Sequence, residues 1–199
     1  KYFDSDDATP KPKSNSPWKV NLGTITLTNV DLAYIDTRDT AQSRGMDFEN
    51  IRANHISGRI SHIEPQDSVV QFKIEYLSTI ERSGFTLRNF SAQVTSTPTL
   101  IQFDNLNIRT PESIVNGFLG FHFDSIEDIE DDFIHRVDLD GHFFNTALEI
   151  SDVAYFAPEL KGIKKRINLI GDVNGKIDRL RCNDVDIVFG DRSRISGNF

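Results

Sequence analysis

Ile101-Gln102-Phe103-Asp104-Asn105-Leu106-Asn107-Ile108 alternates apolar and polar side chains as far as Asp104, then loses step at Asn105, so that Leu106 and Ile108 resume on the other parity. Strict alternation marks a strand with one face buried and one in water. In an unbroken strand the change of parity would throw Leu106 and Ile108 to the face opposite Ile101 and Phe103. One extra residue at Asn105, a β-bulge, returns both halves to one face and adds bend and twist. Asparagine suits that position because it tolerates left-handed backbone and can hydrogen-bond to nearby main chain.

The same rhythm recurs at residues 25–32 (ITLTNVDL), 46–53 (MDFENIRA), 85–92 (FTLRNFSA) and 180–187 (LRCNDVDI). It predicts a bulge, or alternatively a tight corner, at Asn29, Asn50, Asn89 and Asp184 as well as at Asn105. Residues 148–155 (LEISDVAY) fit the template except at Ala154, yet lead into a helical pattern. The rhythm therefore marks a change of backbone geometry, and the flanking chain decides whether it becomes a bend, a corner or a cap.

Outward from these repeats, strand signals dominate. Residues 20–35, 51–63, 85–94, 100–110, 114–123, 167–177, 180–189 and 195–199 read as extended, and Val70, Phe72, Ile74 and Tyr76 alternate cleanly with Gln71, Lys73 and Glu75. Two short helices interrupt them. Ser125 and Asp128 form a capping-box pattern ahead of Ile126, Ile129 and Phe133, and residues 151–160 carry a cap at Ser151 or Asp152 and end at Pro158. Residues 1–17, with three prolines and Asp4, Asp6 and Asp7, read as a flexible linker, and 36–44 as a polar loop; residues 18–199 form one strand-rich domain. The fold expected is mainly β, a bent, antiparallel-rich sheet making a repeated groove, with a closed β-sandwich as the alternative.

Composition narrows the function. Thirty acidic residues against 22 basic ones give a net charge of −8, which opposes nucleic acid, and the compact basic run Lys164-Lys165-Arg166 reads as a solvated loop. Cys182 is the single cysteine and occupies an apolar repeat position, so a buried, inert thiol is expected. No segment approaches the roughly 20 apolar residues of a membrane span. The five histidines lack metal-ligand spacing, and the acidic run from Asp124 to Asp132 lacks the glycine and terminal glutamate of a calcium loop. With no nucleophile elbow, phosphate loop or dinucleotide fingerprint, neither an enzyme, a metal nor a cofactor is expected. Asn89-Phe90-Ser91 matches a glycosylation acceptor, but Asn89 is already explained as a repeat position.

Three stretches together resemble the AsmA-like and TamB (translocation and assembly module) family in its Bacteroidota form. They are Trp18-Lys19-Val20-Asn21-Leu22-Gly23 running into residues 25–36 (ITLTNVDLAYID), residues 77–87 with Ser83-Gly84-Phe85 leading into FTLRNFSA, and residues 150–160 (ISDVAYFAPEL) before a strand at 167–175. The resemblance implies a non-enzymatic fragment of an inner-membrane-anchored protein that spans the periplasm as a β-groove. It also implies phospholipid or another acyl-chain lipid as cargo, assistance to outer-membrane protein assembly, and a BamA-like barrel as partner of the full-length chain. Lys1 in place of an initiator Met and the mid-strand character of residues 197–199 agree with a fragment. Without the family, a sandwich-type binding or adhesion module for protein or glycan is the reading. Corrected for the bulges, the parity places Val70, Phe72, Ile74, Tyr76, Phe90, Phe103, Leu106 and Ile108 on one apolar face, the candidate lipid groove.

Overall fold

The computed structural model describes residues 22–35, 45–189 and 193–198; the linker at 1–17, Trp18, the loop at 36–44 and Phe199 lie outside them. The chain builds one open antiparallel sheet of eleven strands. They are β1 (Leu22–Ile35), β2 (Asn50–Gln66), β3 (Val69–Glu81), β4 (Thr86–Leu87), β5 (Asn89–Thr97), β6 (Leu100–Arg109), β7 (Ile114–His122), β8 (Asp138–Glu149), β9 (Arg166–Lys176), β10 (Arg181–Phe189) and β11 (Ser193–Gly197). Each strand pairs with its chain neighbours, except that β3 holds both the short β4 and β5. Helix α1 (Ile126–Arg136) joins β7 to β8, and α2 (Ile150–Val153) with a 3₁₀ turn at Pro158–Leu160 joins β8 to β9. The mainly β, antiparallel architecture with two short helices is thus the one expected, and such a sheet suits either a bent groove or a sheet folded over on itself. Strand β8 went unanticipated, because Gly141 and the pair Phe143-Phe144 blur its alternation.

The repeat position bends the backbone at three of its five copies. Asn29, Asn105 and Asp184 have φ of 52°, 52° and 50°, in the left-handed region. At Asn105 the ladder runs three residues along β6 for two along both β5 and β7, the signature of one inserted residue. β1 gains a residue around Asn29 and β10 one around Asp184 in the same way. Of the other two copies, Asn50 takes the corner alternative and Asn89 corrects the expectation. Asn50 opens β2 from a turn in which its N–H donates to the Asp47 carbonyl at 3.1 Å, so it is a corner. Asn89 opens β5 in register with Arg109; the break falls one residue earlier, where the chain gains β6 as a second partner beside β3 and the Arg88 N–H donates to the Arg109 carbonyl.

Further bulges lie outside the five copies. His55 (φ 54°) and His62 (φ 52°) each add a residue to β2 relative to β3, and Asn145 (φ 47°) adds one to β8 relative to both neighbours. Residues 51–58 (IRANHISG) and 58–65 (GRISHIEP) show the same parity break with histidine in place of asparagine. That signal was present for His55 and His62.

Glycine makes room beside the bulges. Leu106 pairs with Gly117, Gly117 with Phe143, and Phe143 with Gly171, which lies beside Asp184 and Val185. A Cβ on Gly117 would come within 2.1 Å of the His142 carbonyl oxygen, and one on Gly171 (φ 125°) within 2.6 Å of the Asp184 oxygen. With Ile60–Ile74 and Ile74–Ala92 in the same row, a crease crosses the sheet from β2 to β10. Asn105→Val should cost about 1 to 2 kcal/mol in chemical denaturation, because a β-branched side chain is strained at that φ, whereas Asn105→Gly should be nearly neutral. Equal midpoints for the Val variant and the parent would remove the special role of the position.

Curvature follows from a contact between distant strands. The Met46 N–H donates to the Tyr155 carbonyl at 2.6 Å, and Phe85 meets Tyr155 and Phe156 at ring centroid distances of 5.5 and 5.2 Å. In a flat sheet β2 and β8 would stand about 24 Å apart, five strand spacings. The helix and turn from Glu149 to Tyr155 advance only about 9 Å. On the other side the Asp47–Asn50 turn keeps Met46 close to the start of β2, so it is curvature of the sheet that brings these segments together.

Candidate functional site

In an antiparallel ladder, residues directly opposite one another share a face, so the pairing register assigns every side chain. Phe72 pairs with Val94, Val94 with Phe103 and Phe103 with Leu119; Phe90 pairs with Ile108 and Ile108 with Val115. Val70, Phe72, Ile74, Phe90, Phe103, Leu106 and Ile108 therefore stand together on one face. From β3 to β10 no Asp, Glu, Lys or Arg occupies that face between its two ends. The opposite face carries the charged and amide side chains, with Ile80, Ile114 and Ile170 exposed among them. Asn89 donates to Asn107 at 3.0 Å, Asn107 to Asn116 at 2.7 Å, and Asn116 to the Asn145 carbonyl at 2.9 Å, an amide ladder across four strands.

Tyr76 departs from the expected set. Ile60 pairs with Ile74 but its neighbour Arg59 pairs with Tyr76, so β3 carries an extra residue at Glu75 that turns Tyr76 to the polar face. There it is 42% exposed, beside an Arg59–Glu75 ion pair at 3.2 Å. Leu77 takes the apolar position instead and packs against the core. The signal was the adjacent apolar pair Tyr76-Leu77, a parity break without an asparagine.

The centre of the apolar face is tight and its margins are open. Ile74, Ala92, Val94 and Leu106 are buried, with Phe72, Phe90, Phe103, Ile108 and Leu119 packed around them half-exposed. Phe90, Phe103, Phe121 and Phe133 continue as a chain of rings with centroids 5.7, 6.3 and 5.4 Å apart, carrying the face onto α1. On β1, Ile25, Val30 and Leu32 belong to the same face by register with Ile60, Ile56 and Ala53, yet are 42%, 38% and 56% exposed. Cys182, opposite Val173, lies on this face half-buried.

Polar groups gather at the ends. At the α1 end, Asp128 accepts the amides of Asp124 and Ser125, the expected capping contact, and an Arg136 hydrogen bond at 3.0 Å; the Arg136 bond is foremost in holding its carboxyl below the ordinary aspartate pKa. The acidic run here is a helix terminus with internal partners. At the α2 end, Asp152 accepts hydrogen bonds from Thr110 and Ser113 at 2.6 and 2.5 Å. Helix α2 is shorter than the span expected from the sequence because Pro158 starts a separate 3₁₀ turn. Nearby, buried Glu81 accepts the amides of Arg52 and Ser83 at 3.2 and 2.6 Å. Burial would raise its pKa, but the hydrogen bonds led by Ser83 outweigh it and the net shift is downward.

A depressed carboxylate stabilises the fold above its unfolded pKa and loses that contribution as pH falls through the lower folded value. Glu81→Gln should therefore lower the melting temperature at neutral pH, and the gap from the parent should close in acid below the ordinary glutamate range. A gap unchanged across that range would exclude the carboxylate charge as its source.

Among the described residues no cluster of three or more His, Cys, Asp or Glu is disposed to hold a metal. His55 contacts Asn29 at 2.7 Å and His62 contacts Ser61 at 3.0 Å, both at bulges. No described helix is long and apolar enough to cross a membrane. Comparison with protein-family models, with curated proteins and with solved structures finds no match to this chain.

Proposed function

We propose that the chain is a non-enzymatic groove segment that holds the acyl chains of a phospholipid or similar lipid against its apolar face. The observation that carries this reading is the uncharged apolar face running from β3 to β10 on one curved sheet, with open margins at β1. A buried methylene contributes about 0.8 kcal/mol, so even half an acyl chain shielded from water is retained firmly. The crease matters to the same end, because it lets strands bend without turning Leu106 or Val185 outward. The resemblance of residues 18–36, 83–92 and 150–175 to the TamB and AsmA-like family supports the reading and extends it to the whole protein. Such a protein would be anchored in the inner membrane, would cross the periplasm, and would move lipid toward the outer membrane or serve a BamA-like barrel there.

The test is photo-crosslinking. A benzophenone side chain at position 72 or 103 should capture lipid from cells or from added vesicles, while the same probe at Lys73 or Gln102, on the polar face, should not. Capture confined to the polar positions, or equal at all four, would overturn the groove.

A further inference from the structure

The α2 end of the sheet carries a surface distinct from the groove. Phe48 and Phe156, with ring centroids 6.3 Å apart, are 58% and 50% exposed, and Ile163, seven residues beyond Phe156, is 42% exposed. Tyr34 and Ile35 end β1 on the same side, since Ile35 pairs with Asn50, and are 56% and 45% exposed. Interleaved with these are Lys161, Lys164, Lys165 and Arg166, all exposed, in a chain of net charge −8. Arg166 is engaged by Glu149 at 2.8 Å and by the Glu112 carbonyl. Among the described residues no carboxylate forms an ion pair with Lys161, Lys164 or Lys165.

The opposite end carries a different mixture. Asp124, Glu127, Asp128, Asp132, Asp138 and Asp140 gather around α1, and β8 alone separates the two ends by roughly 35 Å. The α2 end also holds Asp47, Glu49, Glu81, Glu112, Glu149 and Asp152, with Glu49 and Glu112 exposed, and the α1 end holds Arg136, Lys176 and Arg179; what sets the α2 end apart is the group of exposed rings beside Lys161, Lys164 and Lys165.

We propose that the α2 end docks on an anionic membrane surface. Exposed rings and an aliphatic side chain set among lysines are the composition that settles at the boundary between headgroups and acyl chains, the lysine stems lying over apolar surface while their charges reach phosphate. The surface is also pre-formed: Asp152 ties α2 to Thr110 and Ser113, and the Met46–Tyr155 bond fixes the Phe48 loop against it. The exposed rings and the three lysines lie together at the α2 end, so docking has one orientation, strands upright with the α2 end down. This goes beyond the groove reading and does not depend on it.

Flotation of the chain with vesicles tests the docking. The protein should rise with vesicles of equimolar phosphatidylcholine and phosphatidylglycerol, stay behind with phosphatidylcholine alone, and detach as salt is raised. Each lysine near an anionic surface strengthens binding by about fivefold, so the triple variant Lys161→Gln, Lys164→Gln, Lys165→Gln should bind at least about tenfold more weakly. Ile163→Ser should weaken binding as well, and Lys73→Gln, on the polar face of the sheet, should leave it unchanged. Flotation equal for the triple variant and the parent, equal flotation with neutral vesicles, or capture by a soluble polyanion such as heparin without vesicle binding would each overturn the proposal. Lipid crosslinking at position 103 should persist in the triple variant, and Phe103→Glu should still float, so failure of the docking surface and failure of the groove are told apart.

Discussion

Gly117→Ala is expected to destabilise the fold more than any other single methyl group added to it, by roughly 3 kcal/mol or more in chemical denaturation. The new Cβ would sit 2.1 Å from the His142 carbonyl oxygen and 3.2 Å from the Phe143 Cα, both backbone atoms held in the β7–β8 ladder. No rotamer relieves such a contact, so β7 must move away from β8 and surrender pairing on both sides of the crease. Gly120→Ala is the matched control: on the same strand its Cβ would meet only side chains, the nearest being Phe118 Cζ at 3.4 Å. A Gly117→Ala midpoint as close to the parent as that of Gly120→Ala would show that the crease does not need a bare backbone.

Phe103→Glu is expected to reduce bound lipid about tenfold or more while leaving a folded protein. Phe103 sits between Phe90 and Phe121 in the ring chain and faces Val94 and Leu119 across its two ladders, so a carboxylate there enters the middle of an uncharged face. Phe144→Glu supplies the comparison, because Phe144 is 47% exposed and departs from the apolar face at the Asn145 bulge. Lipid extracted from the purified variants, measured per mole of protein, checks it. Equal lipid in both variants would mean that acyl chains, if bound, lie elsewhere.

Much of this was legible because a half-exposed strand writes its orientation into the sequence. The break at Asn105 carried both the bulge and the face of Leu106 and Ile108, and the register sets Phe72, Phe90 and Phe103 on one face. Where the reading failed, a local pattern had been asked to decide a non-local event. Asn50 and Asn89 share the octapeptide, but one ends a turn, the corner alternative, and the other follows the point where β6 joins as a second partner strand, and neither fact resides in eight residues. Tyr76 kept perfect alternation while the extra residue at Glu75 turned it over; only Leu77 betrayed the shift. His55 and His62 escaped because the template admitted only Asn and Asp, although any polar residue that tolerates positive φ can serve. Gly117 and Gly171 were invisible for another reason: their role is the neighbouring backbone, which comes close only once strands are paired.

Because every strand of the sheet bonds to its neighbours in chain order, none of its ladders waits for distant parts of the chain to meet. Its stability is close to a sum over adjacent hairpins, as in a linear polymer with nearest-neighbour coupling. Folding of such a meander has low contact order and can begin at any hairpin and zip outward. The clasp between residues 46 and 155 is the exception, a single long loop that closes after the hairpins exist. Closing that clasp is then the last step in shaping the molecule, and opening it would free the segments at 46 and 155 without unfolding a strand, while the bulges keep the bend built into each ladder.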